Sequence, residues 1–339
     1  MSPPHPGSFF AEESRTMSVN TPLTTRLTTA LELTSPVVLA PMDLVSGGRL
    51  AAAVTRAGGL GMIGGGYGDR DWLIREFANA GQARVGCGFI TWSLARQPRL
   101  LDVALDHNPV AIMLSFGDPA PFVDRIHTAG AKVICQIHSL DDARRALSAG
   151  ADILVAQGGE AGGHGTATRS TFTLVPEIAD LAAATAPGTL VLAAGGIADG
   201  RGLAAALMLG ADGALIGTRL WASSEALVPG PAQRHALEAT GDDTIRTSVY
   251  DLVRENPWPG HYTGRVLCNA FTARWHGHES RLVEALPDAQ TTYRQAHAHH
   301  DLDNLNIIVG EAVGQVHDVT PAAELLHTIT NQAHRLLTV

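Results

Sequence analysis

Apolar runs of strand length recur along the chain at nearly even spacing. They begin at Val37 (VVLAPM), Leu60 (LGMIGGG), Arg84 (RVGCGFIT), Pro109 (PVAIMLSFG), Lys132 (KVICQIHS), Ala151 (ADILVAQG), Thr189 (TLVLAAGG) and Gly213 (GALIGTRL). Each run is continuously apolar rather than alternating, the pattern of a strand covered on both faces. Between them, residues 48–57, 71–80, 119–129, 139–149 and 199–209 carry apolar side chains at helical spacing. Several of these segments open on Asp, Ser or Pro and close on Gly, the expected punctuation of helices. Eight strand–helix units in series predict an α/β fold of the (β/α)8 TIM-barrel type. A doubly wound open sheet is the competing arrangement.

The run starts are separated by 23, 24, 25, 23, 19, 38 and 24 residues. The long interval opens on Gln157-Gly158-Gly159-Glu160-Ala161-Gly162-Gly163-His164-Gly165. Glycines strip this stretch of side-chain bulk, so a flat ligand can approach the backbone closely. One amide, one carboxylate and one imidazole stand in it. In a barrel the loops after the strand C-termini build the active site. The plain alternative is a tight turn with an incidental histidine. The seventh run ends in Ala194-Gly195-Gly196-Ile197 and the eighth in Leu215-Ile216-Gly217-Thr218. Barrels commonly bind a phosphate between these two loops, on exposed backbone amides. The first run ends in Ala40-Pro41-Met42, where a methionine can lie against a flat ring.

After Trp221 the repeat stops. The pattern divides the chain into a flexible N-terminal extension (1–20), a barrel domain (21–223), a mostly helical second domain covering the barrel mouth (224–319), and a closing helix (320–339). Thr320 is the expected N-cap of that helix, with Pro321 in its first turn. It reads as the eighth barrel helix, delayed by the insertion.

Composition narrows the function. The 339 residues are 45% hydrophobic and 17% charged, enough for a large core. The net charge of −9 argues against a phosphate-backbone partner such as nucleic acid, which needs a basic face. Cys87, Cys135 and Cys268 lie far apart and form no disulfide or metal spacing; the first two read as buried small hydrophobes. The first twenty residues hold no apolar signal region, and no run is long enough to span a membrane, so a cytoplasmic setting is expected. Met17 is an alternative start. Three motifs fail. Gly59-Leu60-Gly61-Met62-Ile63-Gly64 matches G-x-G-x-x-G but follows a helical pattern, and Arg84 stands where an acid is required. His278-Glu279 is not continued to a second His, so there is no zincin motif. His297, His299, His300, Asp301 and Asp303 read as a solvated polar face, so no metal site is assigned.

With these residues assembled, the chain resembles the nitronate monooxygenase family, formerly the 2-nitropropane dioxygenases. The resemblance runs from about Pro36 to Trp221, more weakly to residues 310–314 and 321–324. It is carried by APM with SGG (40–48), AGGLGMIGGG (57–66), QGGEAGGHG (157–165), AAGGIADG (193–200) and GTR (217–219). It implies FMN in a TIM barrel and oxidation of alkyl nitronates by O2 to a carbonyl compound and nitrite; the imidazole of His164 could also deprotonate a neutral nitroalkane and so admit it as substrate. The family's catalytic His falls on His164. Its FMN contacts fall on Ala40, Pro41, Met42, Gln157, Gly162 and Gly196 and on Leu215, Ile216, Gly217 and Thr218; Gly195 joins them through the phosphate reading. Two positions depart. Gly88 stands where many members have Asn, and Asp43 stands where small residues are common. The partners expected are a small nitronate and O2, with neither nucleic acid nor membrane, in a chain that could form a homo-oligomer. Two alternatives remain at this point: an NAD(P)H-dependent flavin reductase acting on quinones or enoyl thioesters, and a non-catalytic FMN- or phosphate-binding barrel. The enoyl reductases of similar sequence carry an acid at the position of Gln157.

Overall fold

The computed structural model describes residues 23–338. The N-terminal extension and the alternative start at Met17 lie outside the described residues. Eight parallel strands form the barrel: β1 (Val37–Leu39), β2 (Met62–Gly66), β3 (Gly86–Ile90), β4 (Ala111–Ser115), β5 (Lys132–Ile137), β6 (Ile153–Gln157), β8 (Leu190–Ala194) and β9 (Gly213–Ile216). β7 (Gly163–Gly165) belongs to a second sheet with β10 (Thr244–Thr247) and β11 (Thr263–Leu267). Each barrel strand lies within one of the eight apolar runs. The hydrogen-bonded order is β1-β9-β8-β6-β5-β4-β3-β2. A parallel bridge between Val38 and Leu60, with Leu39 N donating to Leu60 O, joins the two ends into a ring. That closure excludes the open doubly wound sheet, whose outer strands stay unpaired.

Alternation along each strand explains the continuous apolar runs. Val38, Met62, Met113, Ile134, Ile153, Val155, Leu192 and Leu215 fill the barrel interior. Their neighbours Val37, Leu39, Ile63, Ile112, Leu154, Val191 and Ile216 pack outward against the helices. The helix Arg26–Leu31 plugs the interior with Leu27 and Leu31. Cys87 and Cys135 are buried in the outer layer, and Cys268 is exposed.

Helix starts follow local chemistry. Asp69, Ser139 and Asp199 cap the helices Arg70–Ala80, Leu140–Ala149 and Gly200–Met208 through their side-chain oxygens. The terminal helix Ala322–Leu337 packs between Gly48–Arg56 and Gly200–Met208, the place of an eighth barrel helix. Its first residue is Ala322, and Thr320 does not cap it. The Glu225 carboxylate accepts from Ala322 N at 3.0 Å instead, so a carboxylate from the start of the insertion serves the orphan amide. Among the described residues no helix is long and apolar enough to cross a membrane.

Residues 224–319 are mostly helical and also contribute β10 and β11. Their own core forms around Tyr250, Phe271, Trp275 and Leu282. The three-stranded sheet fixes their position. β11 pairs antiparallel with β10 and with β7, which rises from the loop after β6. The glycine-rich stretch is therefore a strand of the cover as well as a loop of the barrel.

Candidate active site

A cavity of about 630 Å³ opens above the C-terminal ends of the barrel strands. The barrel contributes Ala40, Gly88, Ser115, Gln136, Gln157 and Ala194; the cover contributes Pro229, Arg254, Trp258, Tyr293 and Ile307. Every site residue expected from the sequence lines this cavity except Ile216. Strand alternation turns Ile216 into the outer core, where it is 1% exposed, and its neighbour Leu215 into the barrel. Ile216 reaches the site only through its carbonyl, which accepts from Ala40 N at 3.0 Å.

His164 stands in β7, opposite Gly264 of β11, rather than in an open loop. Its Nε2 lies 3.0 and 2.9 Å from the two oxygens of Asp251. Both side chains are nearly withdrawn from solvent, at 14% and 9% exposure. The imidazole is stacked flat on Trp258, with ring centroids 3.5 Å apart and planes 4° from parallel. Trp258 is itself pinned, since its Nε1 donates to the Tyr67 hydroxyl at 2.8 Å. A carboxylate only accepts, so Nε2 carries the proton of the pair and Nδ1 is left as the basic nitrogen. The ring is thus fixed in plane, rotation and tautomer. Asp251 and Tyr67 were not singled out in the sequence. Asp251 lies 87 residues from His164, and no spacing rule links them.

The glycine stretch is held by its carbonyls. Arg246 donates to Gly159 O at 2.9 Å and to Gly165 O at 3.2 Å; Arg265 donates to Gly159 O at 3.1 Å. Gln157 Nε2 donates to His164 O at 2.8 Å. Burial and the adjacent Arg265 pull the Arg246 pKa down to about 10, which leaves it charged at neutral pH. Glu160 Oε1 accepts from Thr171 N at 2.9 Å and so caps the helix Thr171–Thr185. Its contribution is to shape the loop.

The loops after β8 and β9 fit a flat cofactor that carries a phosphate. Gly195 and Gly196 adopt φ of 102° and 74°, conformations that glycine reaches without strain. A side chain at Gly217 would enter open cavity, its Cβ 3.6 Å from Ala40 Cβ and 3.9 Å from Met42 Sδ. Thr218 Oγ1 accepts from Gly310 N at 2.9 Å, so this hydroxyl joins barrel to cover and keeps its own proton to donate. Arg219, from the same GTR motif, is buried and pairs with Asp318 at the end of the cover. At Gly88 an added Cβ would stand 2.3 Å from Pro41 Cγ, so the Pro41 ring takes the space an Asn side chain would need. His297 and His300 are exposed, as a solvated polar face requires, and also line the cavity.

Asp43 also lines the cavity. Burial carries its pKa up to about 6; Arg254 opposes the shift and Asp69 adds to it. A carboxyl whose folded pKa exceeds its unfolded value destabilises the fold once ionised. The penalty grows as pH rises from the ordinary value of 3.8 and is complete above about 6. Asp43→Asn is therefore expected to raise stability by roughly 2 kcal/mol at pH 8 and by less at pH 4.5. Melting temperatures at the two pH values check this, and equal shifts would show that the carboxylate carries no penalty.

The family model described as nitronate monooxygenase matches residues 90–332. The nitronate monooxygenase of Neurospora crassa is 31% identical over 342 residues, covering 88% of this chain and 89% of that protein. Among solved structures, FabK from Thermotoga maritima superposes with a TM-score of 0.80 at 29% identity, over 93% of this chain and 98% of that one. Nitroalkane oxidase from Streptomyces ansochromogenes superposes with a TM-score of 0.77 at 25% identity, over 92% and 99%.

Proposed function

The chain belongs to the nitronate monooxygenase family, and on that premise we propose that it oxidises alkyl nitronates with O2 to a carbonyl compound and nitrite, using FMN held in the cavity. The observation that carries this reading is His164, oriented by Asp251 and Trp258 in a glycine-stripped segment of the cavity wall. FMN, when bound, supplies the redox chemistry with O2. Gly195, Gly196, Gly217 and Thr218 would hold its phosphate. Ala40, Pro41, Met42, Gln157, Gly162 and Leu215 would contact the rest of it. A nitronate is already a carbanion equivalent, so no strong base is needed for it. His164 holds its nitro oxygens, and on a neutral nitroalkane its Nδ1 takes the α-proton. The carboxylate of Asp251 then faces the imidazolium that forms. The cover walls the reacting carbon off from water.

The direct test is to purify the protein, identify its chromophore and assay nitrite release from propionate 3-nitronate under air. Bound flavin without nitrite release would sink the proposal. Rapid anaerobic bleaching by NADH or NADPH would favour the reductase reading instead.

Asp251 is expected to act through His164 alone. Asp251→Asn should lower kcat for a neutral nitroalkane by about tenfold or more, with KM and flavin content near wild type. Asp251→Glu should recover part of the loss, because it restores the carboxylate. Unchanged kcat in Asp251→Asn would show that the pair does not serve the proton transfer.

A further inference from the structure

Two carboxylates, Asp43 and Glu160, line the cavity, and Asp43 is the half-buried one that no protein donor holds among the described residues. Glu160 caps the helix Thr171–Thr185. Asp43 makes no side-chain hydrogen bond and no ion pair within 4 Å among the described residues. It sits just after β1, pressed against Gly66, where an added Cβ would stand 1.8 Å from its Oδ1. Gly66 has φ 50°, so the backbone there is bent and bare to admit this carboxyl.

The groups facing Asp43 come from three elements. Arg254 ends the cover helix Val249–Val253, Asp69 caps the barrel helix Arg70–Ala80, and Tyr67 lies on the loop after β2. Arg254 lies over the Tyr67 ring at 5.8 Å and also lines the cavity. Burial pushes the Tyr67 phenol up to about 12, so it stays neutral at working pH. Asp251, three residues before Arg254, holds His164. One turn of the cover thus presents an acid to the barrel's imidazole and a cation to the barrel's carboxyl.

This arrangement bears on substrate charge, and it rests on the nitronate reading above. We infer that Asp43 selects substrates by charge: protonated, it donates a hydrogen bond to an anionic nitronate, and ionised, it repels the anion and offsets Arg254. Burial sets the changeover near pH 6, where the carboxyl titrates. Neutral nitroalkanes carry no charge for it to read.

The test compares wild type with Asp43→Asn, which fixes the neutral form at almost unchanged size. kcat/KM is measured from pH 5.5 to 8.5 for a preformed nitronate and for its parent nitroalkane. Protonation of the nitronate in solution affects both proteins alike and cancels in their ratio. For the nitronate, the ratio of variant to wild type should climb about tenfold between pH 5.5 and 8, the scale of like-charge repulsion inside a protein. For the nitroalkane, the ratio should show no pH trend. Asp43→Ser should give the same trend, and it replaces the Asn variant if that fails to fold.

A second arm needs no turnover. The affinity of nitrate, an inert anion, is followed by calorimetry on the purified holoprotein. Wild type should lose affinity as pH rises through 6, and the variant should hold it. Absence of nitrite release by wild type would overturn the proposed activity, and the nitrate arm would then decide the role of Asp43 alone. A nitronate ratio flat with pH, or nitrate affinities that fall in parallel in both proteins, would overturn the inference.

Discussion

His164→Asn should cut turnover of neutral nitroalkanes by about 10²-fold or more, the usual scale for losing a general base. Asparagine keeps a polar group of similar reach but cannot take a proton near neutral pH. Turnover of preformed nitronates should fall less, because their α-proton is already gone and only orientation and charge are lost. The surrounding backbone has little reason to move. Gln157, Arg246 and Arg265 hold the carbonyls of this stretch, and β7 pairs with β11 through the backbone. FMN content should therefore stay near wild type. Steady-state kinetics on the two substrate forms of one compound separate the roles. Equal losses would remove the base role and leave a binding role. No loss on either would show that the His164–Asp251 pair only ties the cover to the barrel.

Gly196→Leu should give folded, colourless protein without nitronate activity. At φ 74° a leucine is strained by roughly 1–2 kcal/mol, a load that a core of this size tolerates. Its Cβ would stand 3.3 Å from Glu160 Cγ, so the branched end is driven towards the proposed phosphate position. The amides of Gly195 and Gly196 would then be blocked from close approach. Flavin absorbance, far-UV circular dichroism and melting temperature, measured together, distinguish a lost site from a lost fold. Full flavin occupancy in this variant would contradict the phosphate assignment.

Much of the barrel was legible because its causes are local. A strand buried on both faces must be continuously apolar, and eight such runs at nearly even spacing leave few arrangements. The caps at Ser139 and Asp199 act over three residues, and both helices begin where those side chains place them. The position of Ile216 was within reach too. Period two along β9 puts Leu215 and Ile216 on opposite faces, so one of the pair had to leave the site.

The sequence by itself determined the strands, most of the helices, and which loops are bare enough for a cofactor. It could not determine what faces those loops. The cover meets the barrel where β11 pairs with β7, and that pairing joins segments about a hundred residues apart. Asp251, Trp258 and Arg254 gain their meaning from this pairing, since alone each reads as an ordinary residue of a helical insertion. Capping at Ala322 was misplaced for the same reason, because the Glu225 carboxylate that serves its amide lies 97 residues away. Tertiary structure likewise decided that Pro41 would fill the space above Gly88 and that Asp43 would be half-buried in the cavity wall with no protein donor among the described residues. Local pattern records what a segment buries, whereas charge and hydrogen bonding at the site depend on neighbours that only the closed fold supplies.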